Sequence, residues 1–403
     1  MPTFGDIMDA VDLLQIKAVE IDKDKCVRAA NRNSKCDKCA KACIEQAIIL
    51  SRGDIEIDYS LCVNCGCCAP VCPMGALTMV EPSSKAVHNR AVKVADKERN
   101  STIFACSRIA SKNLGDRDRF SEVPCLGHVS ETQLMELASS GLDDIMLIDG
   151  NCDTCKLGKA SKRIDDTIET ASSLLDACES EAIITRLSEF PEEYLSDGGN
   201  SRGEGRRGLF RQTTSYVKTV AGNVAKKSID EKLQENGNKG SNALSERLKR
   251  GKGAGILHFE PEDNYRLIES MEKVLGVKIG SDGEEAVKID IESQGSISTR
   301  HFGNVYIDAE RCSGCGMCVL FCPTQALRYD DFEEPDNEDA RYCDFQAADC
   351  TQCMLCKDVC LRECLEVEPE VTLEEVLDFE PRLLEIARPK KTTNLAGLAR
   401  RNW

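Results

Sequence analysis

Apolar and polar positions alternate in short blocks along this chain, and several blocks run straight into cysteine-rich turns. Residues 19–22 (VEID), 55–58 (IEID), 305–308 (VYID) and 343–346 (CDFQ) each read as a short strand ahead of a cysteine run. Between residues 98 and 187 the rhythm changes. Thr102–Ala105, Glu122–Val123 and Ile145–Ile148 are strand candidates, and the unbroken IMLI run suits a parallel strand covered on both faces. A helix begins after Ser130, which forms a capping box with Gln133; Val129 is placed to staple onto Leu134, and Gly141 ends the helix. A second helix is predicted from Leu157 to Cys178, with Leu157, Ile164, Ile168, Ala171 and Leu175 on its apolar face. The pattern therefore predicts an α/β parallel-sheet unit in the middle of the chain, with short strands leading into cysteine runs on either side.

Composition narrows the class. The chain has 403 residues, 24 of them cysteine, and a formal charge of −17. Hydrophobic residues make up 41%, enough for real cores. Met1–Ala10 has neither a basic start nor an apolar stretch, and no run approaches the roughly 20 apolar residues of a membrane span. The expectation is a cytoplasmic chain whose cysteines are reduced thiolates that hold metal. The acidic balance argues against nucleic acid as a partner.

The cysteines are grouped. Residues 62–73 read CVNCGCCAPVCP and residues 312–323 read CSGCGMCVLFCP, both C-x2-C-x2-C-x3-C-P. This is the run associated with [4Fe–4S] clusters. Three closely spaced thiolates wrap one face of a cubane, and the fourth begins a helix directed toward a second cluster. Gly66 and Gly314 let the backbone approach the inorganic core and aim amides at its sulfurs. Each run has an imperfect twin. Residues 350–360 read CTQCMLCKDVC, with Leu361 in place of the usual proline. Cys36, Cys39 and Cys43 form the other, with Cys26 displaced by the polar, basic insert VRAANRNSK, which reads as a surface loop. Structural zinc is the competing reading, but zinc ribbons pair cysteines in twos.

These motifs resemble the two-cluster bacterial ferredoxin family twice, over about residues 18–82 and 302–368. The fold class implied is two α+β ferredoxin-like modules flanking the small α/β domain. The fourth cysteine of one motif in that family ligates the other cluster. The resemblance thus implies four sets: Cys26, Cys36, Cys39 with Cys72; Cys62, Cys65, Cys68 with Cys43; Cys312, Cys315, Cys318 with Cys360; and Cys350, Cys353, Cys356 with Cys322. Four [4Fe–4S] clusters follow as the expected cofactors.

In the middle domain Cys106, Cys125, Cys152 and Cys155 all fall just beyond the carboxyl ends of predicted strands, where open α/β sheets form their ligand crevice. They are candidate metal ligands; buried free cysteine is the competing reading. FAC at 104–106, PCLG at 124–127 and ELASSGLDDIMLIDG at 136–150, with the C-x2-C that follows, resemble the delta subunit of methyl-viologen-reducing hydrogenases over about 60 residues. That resemblance implies a [2Fe–2S] cluster and electron exchange between protein partners. The cysteine spacing departs from that family, so the fifth site stays open between [2Fe–2S], [4Fe–4S] and Zn. His128 is read first as a solvent-facing loop histidine, and otherwise as a group that orients or ligates this site.

Four cysteines remain. Cys178 is expected in a core, Cys67 and Cys364 stand near enough to clusters to be alternative ligands, and Cys343 has no assigned role. Residues 201–252 carry 13 Lys or Arg against 5 Asp or Glu and read as a basic linker, although Phe210, Thr213, Val217, Val220 and Val224 share a helix face. The basic tail ends at Trp403, the chain's single tryptophan. The expected division is therefore a module over 1–97, the α/β domain over 98–187, a linker over 188–255 and a second module over 256–403.

No Walker A sequence, strand-linked G-x-G-x-x-G, triad or nucleophile elbow is visible. Clusters without a substrate site point to electron transfer. The function expected is a relay subunit, not itself catalytic, of a multi-subunit anaerobic oxidoreductase of formate dehydrogenase or hydrogenase type. Its partners would be a catalytic subunit and an electron donor or acceptor. The alternatives are an accessory ferredoxin for maturation of a molybdenum or tungsten enzyme, and a disulfide or sulfur reductase built on the middle site with Cys178 or Cys67 as reactive thiol.

Overall fold

The computed structural model describes residues 17–112, 114–195, 258–276, 296–329, 340–378 and 381–387. The amphipathic stretch from Phe210 to Val224 and the tail with Trp403 lie outside the described residues.

The N-terminal part runs β1 (Val19–Ile21), α1 (Val27–Ala30), α2 (Lys38–Ala42), β2 (Ile48–Ser51), β3 (Asp54–Ile57) and β4 (Leu77–Met79). β1 pairs antiparallel with β4, and β2 with β3. Strand alternation turns Val19, Ile48, Ile55, Leu77 and Met79 inward, where they pack with Cys26, Cys39 and Cys68. The apolar side chains and the cysteines thus share one small core.

Next comes α3 (Ser84–Val94), capped by the Ser83 hydroxyl, which accepts from the Ala86 amide at 3.2 Å. It leads into an α/β layer: β5 (Ser101–Cys106), α4 (Ser107–Ala110), β6 (Ser121–Val123), α5 (Glu131–Ser139), β7 (Asp144–Ile148), α6 (Ser161–Ala177) and β8 (Ile183–Leu187). All four strands are parallel, in the order β6-β5-β7-β8. Every residue of β5 is buried, as a central parallel strand requires. The capping box at Ser130 and Gln133 forms on both sides, and Gly141 takes a left-handed φ of 88° just past the helix. Ile164, Ala171 and Leu175 of α6 are buried, with Leu157 and Ile168 packed beside them.

The C-terminal part begins with α7 (Glu262–Leu275) and β9 (Ser296–Ser298). It then runs β10 (Asn304–Ile307), α8 (Met317–Leu320), β11 (Leu327–Arg328), β12 (Ala340–Phe345), α9 (Leu355–Asp358) and β13 (Leu365–Glu368), which repeats the N-terminal strand pairing, although its second helix falls between the last two strands. β10 pairs antiparallel with β13, and β11 with β12. β14 (Glu370–Thr372), α10 (Leu373–Leu377) and β15 (Arg382–Ala387) follow; β14 pairs with β9, and β15 lengthens the sheet beyond β12.

The described residues up to 195 and from 258 onward belong to one compact unit. Leu267, Ile268 and Met271 of α7 are buried in the same core as Leu134, Met135 and Leu137 of α5 and Cys65 and Cys67 of the N-terminal part. Each such aliphatic side chain contributes about 1.5–3 kcal/mol on burial. Glu131, fully buried at the start of α5, is ion-paired with Arg300 and Arg163 and faces His301. Burial pushes its carboxyl up, but Arg300, the His301 hydrogen bond and Arg163 outweigh that and hold it at about 2.

Two expectations need correction. The insert after Cys26 is not simply a surface loop: it starts with α1, and Val27, Asn31 and Ser34 are buried. Val27 leaves solvent because it packs on Leu355 and Val359 of the C-terminal part. His128 is not solvent-facing either. It is 2% exposed, and its Nε2 pairs with the Asn64 carbonyl at 3.0 Å.

Candidate metal centres

Each cysteine run leaves a strand, makes a tight loop and enters a helical turn. The second C-terminal run shows what the loop demands of the backbone. In CSGCGMC, Gly314 and Gly316 have left-handed φ of 62° and 70°; in CTQCMLC, Gln352 and Met354 take φ of 51° and 64° at the matching positions. Only glycine adopts this region freely. The Gln352 side-chain amide compensates by donating to the carbonyls of Thr299 and Phe302. The two runs thus wrap alike although their sequences differ.

Three of the expected sets line cavities, and the fourth is coupled electrostatically. Site A comprises Cys26, Cys36, Cys39 and Cys72, and these four line one cavity walled by Val27, Ile55, Met74 and Leu77. Site C comprises Cys322, Cys350, Cys353 and Cys356, which line a second cavity. Site D comprises Cys312, Cys315, Cys318 and Cys360, which line a third, with Cys364 as a fifth thiol. Site B comprises Cys43, Cys62, Cys65 and Cys68; Cys65, Cys43 and Cys62 all act electrostatically on Cys68.

Two of the thiols, one in site A and one in site D, are held in their neutral form by burial and by their neighbours. Burial, then repulsion from Cys72, Cys36 and Cys26, pushes the Cys39 thiol up to about 12. Burial, partly offset by the Val319 amide, and repulsion from Cys312, Cys315 and Cys360 do the same to Cys318. Cys39 and Cys318 would ionise more readily beside compensating positive charge, such as a metal centre would supply. Backbone amides already point at the sulfurs: Ala47 N–H donates to Cys43 Sγ at 3.2 Å, Ala76 N–H to Cys72 at 3.2 Å, Gly314 N–H to Cys312 at 3.4 Å and Leu327 N–H to Cys322 at 3.5 Å. Such donors stabilise an anionic sulfur and tune whatever it binds.

Among the described residues, no three His, Cys, Asp or Glu side chains converge closely enough to hold a single metal ion. Four thiolates on one zinc at about 2.3 Å stand roughly 3.8 Å apart. Ligands of a four-iron cube sit at its corners, further apart and around a volume. Cysteines at the rims of cavities, with amides aimed at their sulfurs, fit the larger group.

The middle-domain cysteines, site M, lie at the carboxyl edge of the parallel sheet. Cys106 ends β5, Cys125 follows β6, and Cys152 and Cys155 follow β7. Cys152 and Cys106 act electrostatically on Cys125, and Cys155 acts on Cys106. The Cys106 thiol donates to the Asp149 carbonyl at 3.2 Å. Sequence reasoning missed Arg186, on β8. Its guanidinium donates to Cys152 Sγ at 3.3 Å and pairs with the Asp149 carboxylate at 2.5 Å. Burial raises the Asp149 carboxyl, but the Asn151 amide and Arg186 prevail and hold it below its ordinary value. Burial and the neighbouring Asp149 push Cys152 up to about 11. An apolar run followed by a single arginine gave no local signal of this contact.

The remaining cysteines separate by position. Cys178 sits at the C-terminus of α6, 2% exposed within the main core. Cys343 is buried in β12. Cys67 is fully buried, with its sulfur 4.0 Å from the Cys65 carbonyl. Cys364 stands 3.6 Å, sulfur to sulfur, from Cys360.

Two stretches of the chain carry the signature of an iron–sulfur domain. Residues 55–78 and 305–328 each match the 4Fe-4S binding domain family. The chain is similar to the "Putative electron transport protein YsaA" of Escherichia coli (strain K12), 32% identical over 80 residues, which cover 19% of this chain and 49% of that protein. It is also similar to "Pyruvate synthase subunit PorD" of Methanothermobacter marburgensis, 41% identical over 59 residues, 15% of this chain and 60% of that one. The chain thus spans about half the length of the curated relatives it matches. No solved structure matches it. Among the described residues, no helix is long and apolar enough to cross a membrane.

Proposed function

We propose that this chain is the electron-relay subunit of a multi-subunit anaerobic oxidoreductase, of formate dehydrogenase or hydrogenase type, working in the cytoplasm. Sites A to D would each hold a [4Fe–4S] cluster. Site M would hold a further metal centre in a domain like the hydrogenase delta subunit, with [2Fe–2S] and [4Fe–4S] as its possible occupants, and Zn only if its four cysteines draw closer together than they stand in this structure. The observation that carries this reading is the coincidence of three separate cavities with three of the four-cysteine sets implied by ligand exchange between motifs.

A bound cluster would supply one-electron exchange without bond rearrangement. The chain's own residues do the rest. Twelve of the sixteen ligands come from three-cysteine loops and four from a partner run, so each pair of sites is fixed to one rigid core. Val27, Ile55, Met74 and Leu77 exclude water from site A. Amides of Ala47, Ala76, Gly314 and Leu327 offset the thiolate charge. Acidic surface charge counteracts this by stabilising oxidised clusters, which favours low potentials. The two relatives' names, an electron transport protein and a subunit of pyruvate synthase, agree with a relay that serves a catalytic partner.

The test is isolation from native cells. A relay co-purifies stoichiometrically with a catalytic subunit and is reduced reversibly at low potential. A protein that leaves the mature enzyme is a maturation factor instead. The Arg186 contact to Cys152 favours attention to one more reading, a disulfide or sulfur reductase at site M. That reading requires turnover of a disulfide by the isolated chain and its loss on alkylation of one thiol.

A further inference from the structure

We propose that the five cysteine sets stand in a single file, M–B–A–C–D, and that Cys36 and Cys353 make the crossing between the two halves of the chain. This rests on the electron-transfer reading and adds to it a route with defined ends.

Within each half the order follows from the chain. α2 carries Cys39 of site A and ends at Cys43 of site B. α8 lies between Cys315 and Cys322 and holds Cys318 of site D, while α9 holds Cys356 of site C and leads to Cys360 of site D. Sites B and A are therefore joined by one turn of helix, as are sites C and D.

The link from M to B is a direct backbone contact. Gly127, two residues past Cys125, lies against Cys65 and Cys67: a β-carbon on it would meet the Cys67 sulfur at 2.6 Å and the Cys65 carbonyl at 2.7 Å. His128 then holds the loop through the Asn64 carbonyl at 3.0 Å. Cys125 and Cys65 share one apolar core.

The link from A to C is the one that no repeat of the ferredoxin motif implies. Val27 and Met74 from the first half and Leu355 and Val359 from the second form a single buried cluster, with Cys36, Cys72 and Cys353 packed on it. No cysteine of site B or site D joins that cluster among the described residues. Three polar contacts pin it: the Thr351 hydroxyl to Met74 Sδ at 3.5 Å, the Lys35 amide to the Asp358 carboxylate at 2.7 Å, and the Lys25–Glu262 ion pair at 3.9 Å. The insert that displaces Cys26 from Cys36 supplies Val27 and Lys35, so the irregular spacing of the first run builds the junction. Cys315 of site D is the exposed member of all five sets, which marks site D as the outer end. Each crossing passes one electron from a low-potential donor and forms or breaks no bond.

Two measurements on the full chain test the file. In the first, the iron- and sulfide-reconstituted protein is reduced with dithionite, and its electron paramagnetic resonance is compared with that of a Cys36→Ser/Cys39→Ser variant that lacks site A. Loss of site A is expected to narrow the signal of site C by removing site A's share of its magnetic broadening, leaving only the coupling to site D; a spectrum of sites C and D unchanged by that loss overturns the crossing. The second needs no cluster: zero-length carbodiimide coupling of the wild-type chain, read by mass spectrometry. A Lys25–Glu262 link is expected, and its absence overturns the packed junction. A chain that takes up no iron defeats the electron-transfer reading itself, while the cross-link still decides the junction.

Discussion

Gly127 has no room for a side chain because the sulfur of Cys67 and the carbonyl of Cys65 already occupy the space where one would begin. The sheet domain is thus seated backbone-to-backbone on a cysteine run, and the smallest addition must push the two apart. Gly127→Ala is expected to cost about 1–3 kcal/mol, the range for overpacking a filled interior. Thermal unfolding and iron content read the effect; an unchanged transition contradicts the contact.

Glu131 ties α5 to α6 and to the segment that enters β10. Its carboxyl is held at about 2, against about 4.3 in an unfolded chain. A depressed carboxyl stabilises the fold above its unfolded value, and that contribution is lost as pH falls toward 2. Glu131→Gln leaves Arg300 and Arg163 buried without their counter-charge, so about 3–5 kcal/mol should be lost at pH 7. The gap between wild type and variant should shrink steadily below pH about 4.3. Urea unfolding across pH 7 to 3 measures it, and a gap that ignores pH contradicts the ion-paired node.

Site D differs from site A in its spare thiol. Cys364 lines the same cavity as Cys312, Cys315, Cys318 and Cys360 and is 3.6 Å from Cys360. Cys360→Ser is therefore expected to retain most of the iron at site D, and Cys360→Ser/Cys364→Ser to lose it. Iron analysis of both variants is the check. Equal loss in the two would show that Cys364 cannot serve as a ligand.

Much of this was legible in the sequence because it is local. Cysteine spacing, the Ser130–Gln133 capping box and three of the four strands of the middle domain are short-range patterns, and the box and those strands appear in the structure where expected; the fourth strand, β8, was not foreseen. The long-range pairings were not legible. Nothing in the periodicity of α7 says that Leu267 and Met271 will cover α5, and nothing near Glu131 announces Arg300, 169 residues away. The same holds for Lys35 and Asp358, 323 residues apart, whose contact turns a polar insert into an interface. Arg186 was missed for the same reason, since its partners Asp149 and Cys152 lie on another strand's loop. Gln352 and Met354 stand where glycine would have advertised the left-handed backbone, so the run was legible from its cysteine spacing alone.

The central claim is that sixteen cysteines in four exchanged sets hold iron and sulfide. Anaerobic reconstitution of the full chain, followed by iron, sulfide and zinc analysis with Mössbauer spectroscopy, tests it most directly. Four cubanes predict about sixteen irons and as many sulfides per chain, all in [4Fe–4S] form apart from any centre at site M. Fewer than about twelve irons, or zinc in their place, would contradict the account.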